Sequence, residues 1–140
     1  MSNATNKAIV RRYLEEVLNQ GRHDLIEEFL ADDFDLHFSG LAPGLEAIKE
    51  WYGAMSTAFP DWQASIDDLI AEGDKVVVRT TVHGTQQGEM QGIPATGRSV
   101  NSPSITIFRL ANGKIAEGWI VSDNLGLMQQ LGVIPTPETA

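Results

Sequence analysis

Six side chains carry most of the chemistry that the sequence can offer: Asp123, Arg79, His37, His83, Trp119 and Trp51. They belong to a chain of 140 residues with three histidines and no cysteine. Thiol catalysis, thiolate metal ligation and disulfides are therefore excluded. The histidines at 23, 37 and 83 are far apart and show no HExxH-type spacing. No Walker A loop, no Rossmann GxGxxG after a strand and no GxSxG elbow is present. Gly84-Thr85-Gln86-Gln87-Gly88 has neither the lysine nor the helix that phosphate binding needs. What remains is a pocket without metal or cofactor, working with carboxylate, imidazole, guanidinium and indole groups.

The elements that position these groups follow from periodicity. Ile9, Val10, Tyr13, Leu14, Val17 and Leu18 keep one helical face apolar, and Asn19-Gln20-Gly21 is a stop. A second helix is expected from Asp24, with Asp24 and Glu27 at capping-box spacing. Phe34 to Phe38 alternates as a strand, with Phe34, Leu36 and Phe38 on one face and Asp35 and His37 on the other. Ser39 to Gly44 reads as a turn-rich loop. Leu45, Ile48, Trp51, Tyr52, Met55 and Phe59 mark a third helix that Pro60 ends. From there the period falls to two. Strands are expected near 62–71, 75–83, 86–91, 99–110 and 114–122, with a loop at 92–97. A short helix over 124–131 and a frayed end from Pro135 to Ala140 complete the chain.

Asn112-Gly113 is the strongest hairpin signal, because a type I′ turn needs positive φ at both positions. A two-residue loop pairs Ala111 with Lys114. Continued without interruption, that register sets Thr106 opposite Trp119, Ser104 opposite Val121 and Ser102 opposite Asp123. It groups Trp119, Val121 and Asp123 with three hydroxyls on one unusually polar sheet face. It leaves Ile105, Ile107 and Ile120 on the other. Asp123 also precedes Asn124-Leu125 as a helix N-cap would, and spacing alone favours the cap. A single β-bulge would break the register.

Arg79 and His83 share a face with Val77 and Thr81, opposite Val76, Val78 and Val82. A two-residue loop after Glu72 sets Asp68 across from Arg79, and a three-residue loop sets Asp67 there. A cross-strand ion pair is thus as good a reading of Arg79 as a ligand contact. His37 and His83 read equally as hydrogen-bonded surface histidines, and Trp51 as core.

Ten Lys+Arg against nineteen Asp+Glu give a formal charge of −9. Nucleic-acid binding needs a basic footprint and is excluded as an expectation. No apolar run reaches the ~18 residues of a membrane span, and the N-terminus has no signal-like apolar stretch. The absence of cysteine fits a cytoplasmic protein. One domain over 1–140, ordered from about 5 to 134, suits the length. Early helices followed by a strand meander indicate an α+β fold with helices on one face of a curved, mostly antiparallel sheet.

Ala58-Phe59-Pro60-Asp61-Trp62, the run from Ile66 to Arg79, Gly92-Ile93-Pro94-Ala95-Thr96-Gly97, and Gly113 to Trp119 through Asp123 to Gly132 together resemble the SnoaL-like polyketide cyclase family. The resemblance runs from about residue 7 to Pro135. It implies a cone-shaped α+β fold of the nuclear transport factor 2-like superfamily, with a deep pocket between sheet and helices. It implies ring closure by an intramolecular aldol reaction without metal or cofactor. Asp123 falls on the family's acid/base Asp in a Trp-x-x-x-Asp segment.

On this reading Asp123 is the catalytic residue, and His37, Arg79, His83, Trp119 and Trp51 bind a small hydrophobic carbonyl compound. A carboxylate in an apolar pocket is a usable base near neutral pH. It takes a proton α to a carbonyl, and donors such as His37, His83 or Arg79 stabilise the enolate oxygen. A non-catalytic binding module is the competing reading. An isomerase, dehydratase or epoxide hydrolase stays open, the last through Arg79 with Asp67 or Asp68 and Asp123. A homodimer is expected across the outer sheet face, because two apolar-bearing faces need two coverings.

Overall fold

The computed structural model describes residues 2–38 and 41–136. Ser39 and Gly40 of the expected loop, and 137–140 of the expected frayed end, lie outside the described residues. Helix α1 (Asn3–Arg12) opens on Ser2, whose hydroxyl accepts from the Thr5 amide at 3.1 Å. It continues as a π-helical stretch over Tyr13–Asn19. The wider turn brings consecutive residues Tyr13 and Leu14 inward together, with Val10 and Val17. That accounts for the uneven apolar steps of the sequence. A 3-10 turn (His23–Leu25) leads into a single helical turn, α2 (Ile26–Phe29). The expected capping box is not formed: Asp24 lies inside the 3-10 turn, and no side chain caps either segment.

Strand β1 (Leu30–His37), helix α3 (Leu45–Ala58) and strands β2 (Gln63–Glu72), β3 (Lys75–Thr85), β4 (Ser99–Ala111) and β5 (Lys114–Ser122) follow, and α4 (Asn124–Gln130) closes the order. The sheet runs β1-β5-β4-β3-β2 and is not closed. β2 to β5 pair antiparallel, while β1 lies parallel to β5, so the sheet is mixed. The helices cover one face around Val10, Val17, Leu30, Phe34, Ile48, Val76 and Ile115. A smaller cluster of Ala58, Phe59, Met90, Val100 and Leu131 seals the end where α4 lies.

Two expectations are corrected. Residues 86–91 are not a strand; only a Met90–Ile93 bridge forms there. The segment turns back on itself around the buried Gln86, whose Nε2 donates to the Ile93 carbonyl and whose Oε1 accepts from the Thr96 hydroxyl at 2.8 Å. The amides of Gln87 and Gly88 donate to the Ala58 carbonyl at the end of α3, so they have no sheet neighbour. A Cβ on Gly88 would stand 2.5 Å from the Thr57 carbonyl oxygen, which explains the glycine.

The second correction concerns register. Ala111↔Lys114 and Leu110↔Ile115 pair as the turn requires, and the ladder then slips by one to Arg109↔Glu117. Ile115 and Ala116 are both buried, the sign of one extra residue in β5. Side chains alternate with period two, so everything beyond the slip changes face. Trp119 pairs with Ile107 and Val121 with Ile105 on the outer face, whereas Ile120 pairs with Thr106 and Ser122 with Ser104 on the inner one. The Asp68↔Arg79 pairing follows from the two-residue turn at Gly73-Asp74, as the shorter-loop reading expects.

Candidate active site

Between the helices and the inner sheet face lies a cavity of about 300 Å³. The π-helical stretch contributes Tyr13, Leu14 and Leu18, and α3 contributes Ile48, Trp51, Tyr52 and Met55. Phe34, Leu36 and Phe38 line it from β1 and the residue that follows. This is the apolar face read from their alternation. Asn124, Leu127 and Met128 of α4 and Met90-Gln91 of the loop close one end. Among the described residues no charged side chain lines the cavity.

Its polarity comes from hydroxyls. Ser102, Ser104 and Thr106 stand at alternate positions of β4, flanked by Thr80 of β3 and Ser122 of β5. Successive inward side chains on a strand are ~7 Å apart, so the three form a straight row along one wall. Thr80 and Ser104 hydrogen-bond through their hydroxyls at 2.8 Å. Facing the sheet, the hydroxyls of Tyr13 and Tyr52 hydrogen-bond each other. Burial pushes the Tyr13 phenol well up and its neighbour Tyr52 adds to this; burial pushes Tyr52 up to about 12. Both are neutral donors at any physiological pH. Trp51 packs edge-on against Tyr52, with ring centroids 5.2 Å apart. A second cavity of about 130 Å³ shares Tyr52, Met55 and Trp62 with the first and is also lined by Asn19, His23 and Gln63.

Of the six expected site residues, only Trp51 lines the large cavity. Trp119 is on the outer face, stacked on His37 at 5.4 Å. His37 Nε2 donates to the Glu117 carboxylate at 2.7 Å, and Arg109 Nε reaches the same carboxylate at 3.1 Å. These two bonds, His37 first, hold the Glu117 carboxyl below its ordinary range. Arg79 is exposed and pairs with Asp68 at 2.6 Å and Asp67 at 3.7 Å. The epoxide-hydrolase arrangement of that Arg with inward carboxylates is therefore not formed. His83 hydrogen-bonds Asn101 on the same outer face. The bulge explains Trp119; for His37, Arg79 and His83 the period-two alternation already assigned the face, and that face is the outer one, away from the cavity.

Asp123 is the N-cap of α4: its Oδ1 accepts from the Gly126 amide at 2.9 Å. It is exposed and, like Trp119, is not among the residues that line the cavity. Its neighbours Ser122 and Asn124 both line the cavity, so the carboxylate stands at the cavity's α4 end. A Cβ on Gly126 would meet Asp123 Oδ2 at 2.2 Å, so this cap depends on glycine. The tyrosine pair was not among the expected site residues. The available signal was that a tyrosine on a helix's buried face brings a hydroxyl that must find a partner.

Comparison with known proteins agrees with this architecture. The family described as SnoaL-like polyketide cyclase matches residues 8–131. The aklanonic acid methyl ester cyclase DnrD of Streptomyces peucetius is 32% identical, over 96% of this chain and 97% of its own. The structure of TsrD from Streptomyces laurentii superposes with a TM-score of 0.87 at 30% identity, covering 96% of this chain and 99% of that one. AclR from Streptomyces galilaeus gives a TM-score of 0.89 at 27% identity, covering 99% and 87%.

Proposed function

The chain belongs to the SnoaL-like polyketide cyclase family, and from that premise we propose that it closes a ring in a flat, uncharged, multiply carbonylated compound by an intramolecular aldol reaction needing no metal or cofactor. The observation that carries the reading is the cavity itself. Most of its wall is aromatic and aliphatic, while the row of Ser102, Ser104 and Thr106 offers neutral hydrogen bonds along one edge. Such a lining favours an uncharged ligand with several oxygens over an anion or a cation.

In the proposed reaction the Asp123 carboxylate takes a proton from a carbon α to a carbonyl. The enolate carbon attacks a second carbonyl carbon of the same molecule, and a C–C bond forms. The resulting alkoxide takes back the proton from the Asp123 carboxylic acid, so product and substrate have the same mass. This role requires Asp123 to release the Gly126 amide when ligand enters. A non-catalytic binding module is the second reading, and the formed cap favours it.

The test is to incubate the protein with aklanonic acid methyl ester, the compound for which the relatives are named. Chromatography should show an isomeric product with wild type and none with D123N. Retention of the compound without conversion would select the binding reading.

We propose further that the outer face pairs with a second copy of the chain. Ile105, Ile107, Trp119 and Val121 form an exposed apolar patch there. The Arg79–Asp68 and Arg109–Glu117 pairs flank it, the polar surround expected of an interface. No helix among the described residues is long and apolar enough to cross a membrane.

A further inference from the structure

Two phenols are in contact inside this cavity, and their hydrogen-bond accounting is incomplete. Each hydroxyl carries one proton and can accept in return. Tyr13 and Tyr52 line the cavity from two different helical segments, both more than nine-tenths buried. Among the described residues their hydroxyls bond only each other. One proton is engaged between the rings. The other has no protein acceptor, although a buried donor without a partner is costly. A hydroxyl that accepts a bond while donating another is also polarised into a better donor.

We propose that the Tyr13–Tyr52 pair anchors a carbonyl oxygen of the ligand, the unengaged hydroxyl proton donating to it. The inference rests on the reading of the cavity as the site for an uncharged carbonyl compound and assigns two of its residues a positioning role. Burial holds both phenols in the protonated form, so the pair acts as donor and never as base. The two residues are placed to fix one end of a ligand. Tyr13 packs edge-on against Phe108, four residues along β4 from Ser104, the partner of Ser122. By strand rise that separation is ~13 Å, which sets the pair apart from Ser122 and Asp123. Its expected effect is therefore on binding and orientation.

The experiment uses two probes of nearly equal shape, 2-acetylnaphthalene and 2-ethylnaphthalene, which differ by a carbonyl oxygen. Affinity is read from quenching of the cavity tryptophans, and the bond from the resonance of a carbon-13 label in the ketone carbonyl. The variant is Y13F/Y52F, because removing both partners of a buried hydrogen bond at constant shape is nearly neutral for folding. Circular dichroism and thermal melting verify its fold.

The expected result is that the double variant binds the ketone roughly 2- to 12-fold more weakly, the range of one neutral hydrogen bond. The carbonyl resonance moves toward its position in an apolar solvent, and affinity for the hydrocarbon is unchanged. Equal ketone affinity and an unmoved resonance in the double variant would overturn the anchoring role alone. Failure of wild type to bind either probe would overturn the cavity reading, and the anchor with it.

Discussion

Tyr13 and Tyr52, whose hydroxyls hydrogen-bond inside the cavity, are also the two tyrosines of the whole chain. Phenolate absorbance therefore reports this pair and nothing else. Free tyrosine titrates near about 10. Burial raises both groups here, Tyr52 to about 12. The folded protein should show no phenolate band as pH rises through 10, and the band should appear only as pH nears 12 or the chain unfolds. In denaturant both should titrate normally. The linked stability has a definite sign: it is full below the unfolded value and is lost as pH rises through the folded one. A phenolate band near pH 10 with the fold intact would mean that the hydroxyls are solvated.

Asp123 offers two separable effects. As the cap of α4 its loss in Asp123→Ala should cost about 1 kcal/mol, whereas Asn caps as well as Asp and should leave the melting temperature near wild type. As an acid/base group, its replacement by Asn should lower turnover roughly 10²- to 10⁴-fold. An Asn variant with wild-type turnover would falsify the catalytic assignment while leaving the cap untouched.

Glu117 binds His37 and Arg109 at once, and its carboxyl is held below the ordinary range. A depressed acid contributes stability that is present above its unfolded value, about 4.3, and is lost as pH falls through the folded one. Glu117→Gln should therefore melt below wild type at pH 7, and the gap should close in acid. Melting curves from pH 7 down to about 3 decide this. A gap that widens in acid would have the wrong sign.

Gly118 faces Phe108 on the inner sheet side. An added Cβ would lie 2.9 Å from Leu36 Cδ1 and 3.1 Å from Phe108 Cδ1. Gly118→Ala should destabilise by about 1–3 kcal/mol through overpacking. Denaturant unfolding measures it, and a neutral result would show that Leu36 moves aside freely.

The outer patch predicts an assembly effect. If a second copy covers Ile105, Ile107, Trp119 and Val121, then Ile107→Lys should shift the protein to monomer in light scattering at micromolar concentration. Its melting temperature should become independent of protein concentration. A wild type that is already monomeric would remove this reading.

Element types were largely legible, because segments of period 3.6 and of period 2 separate cleanly along the chain, β1 before α3 and α4 after β5 included. The inner apolar faces of β1 and β3 and the Asp68–Arg79 pair followed from alternation and turn length. The site was less legible, and on β5 the reason is local. An uninterrupted register from Asn112-Gly113 sets Arg109 opposite Ala116, whereas the bulged one sets it opposite Glu117. Opposite charges across a ladder are favourable, and that criterion would have preferred the slip. The polar row of Ser102, Ser104 and Thr106 was visible as such, but its β5 partners were assigned from the wrong face. Tyr13 and Tyr52 were legible only as apolar helix positions, since periodicity counts a tyrosine's ring and ignores its hydroxyl.

The extra residue in β5 behaves as a shift of phase. Strand composition decides what side chains are available, but the parity of the count from the turn decides which of them line the cavity. With Ala116 in place, Ile120 and Ser122 are delivered inward, and Trp119, Val121 and Asp123 are delivered outward or to the helix start. Deleting that one alanine would exchange the two sets without altering any chemistry-bearing residue. Cavity and outer surface are thus alternative readings of the same seven residues, Glu117 to Asp123, selected by a single insertion.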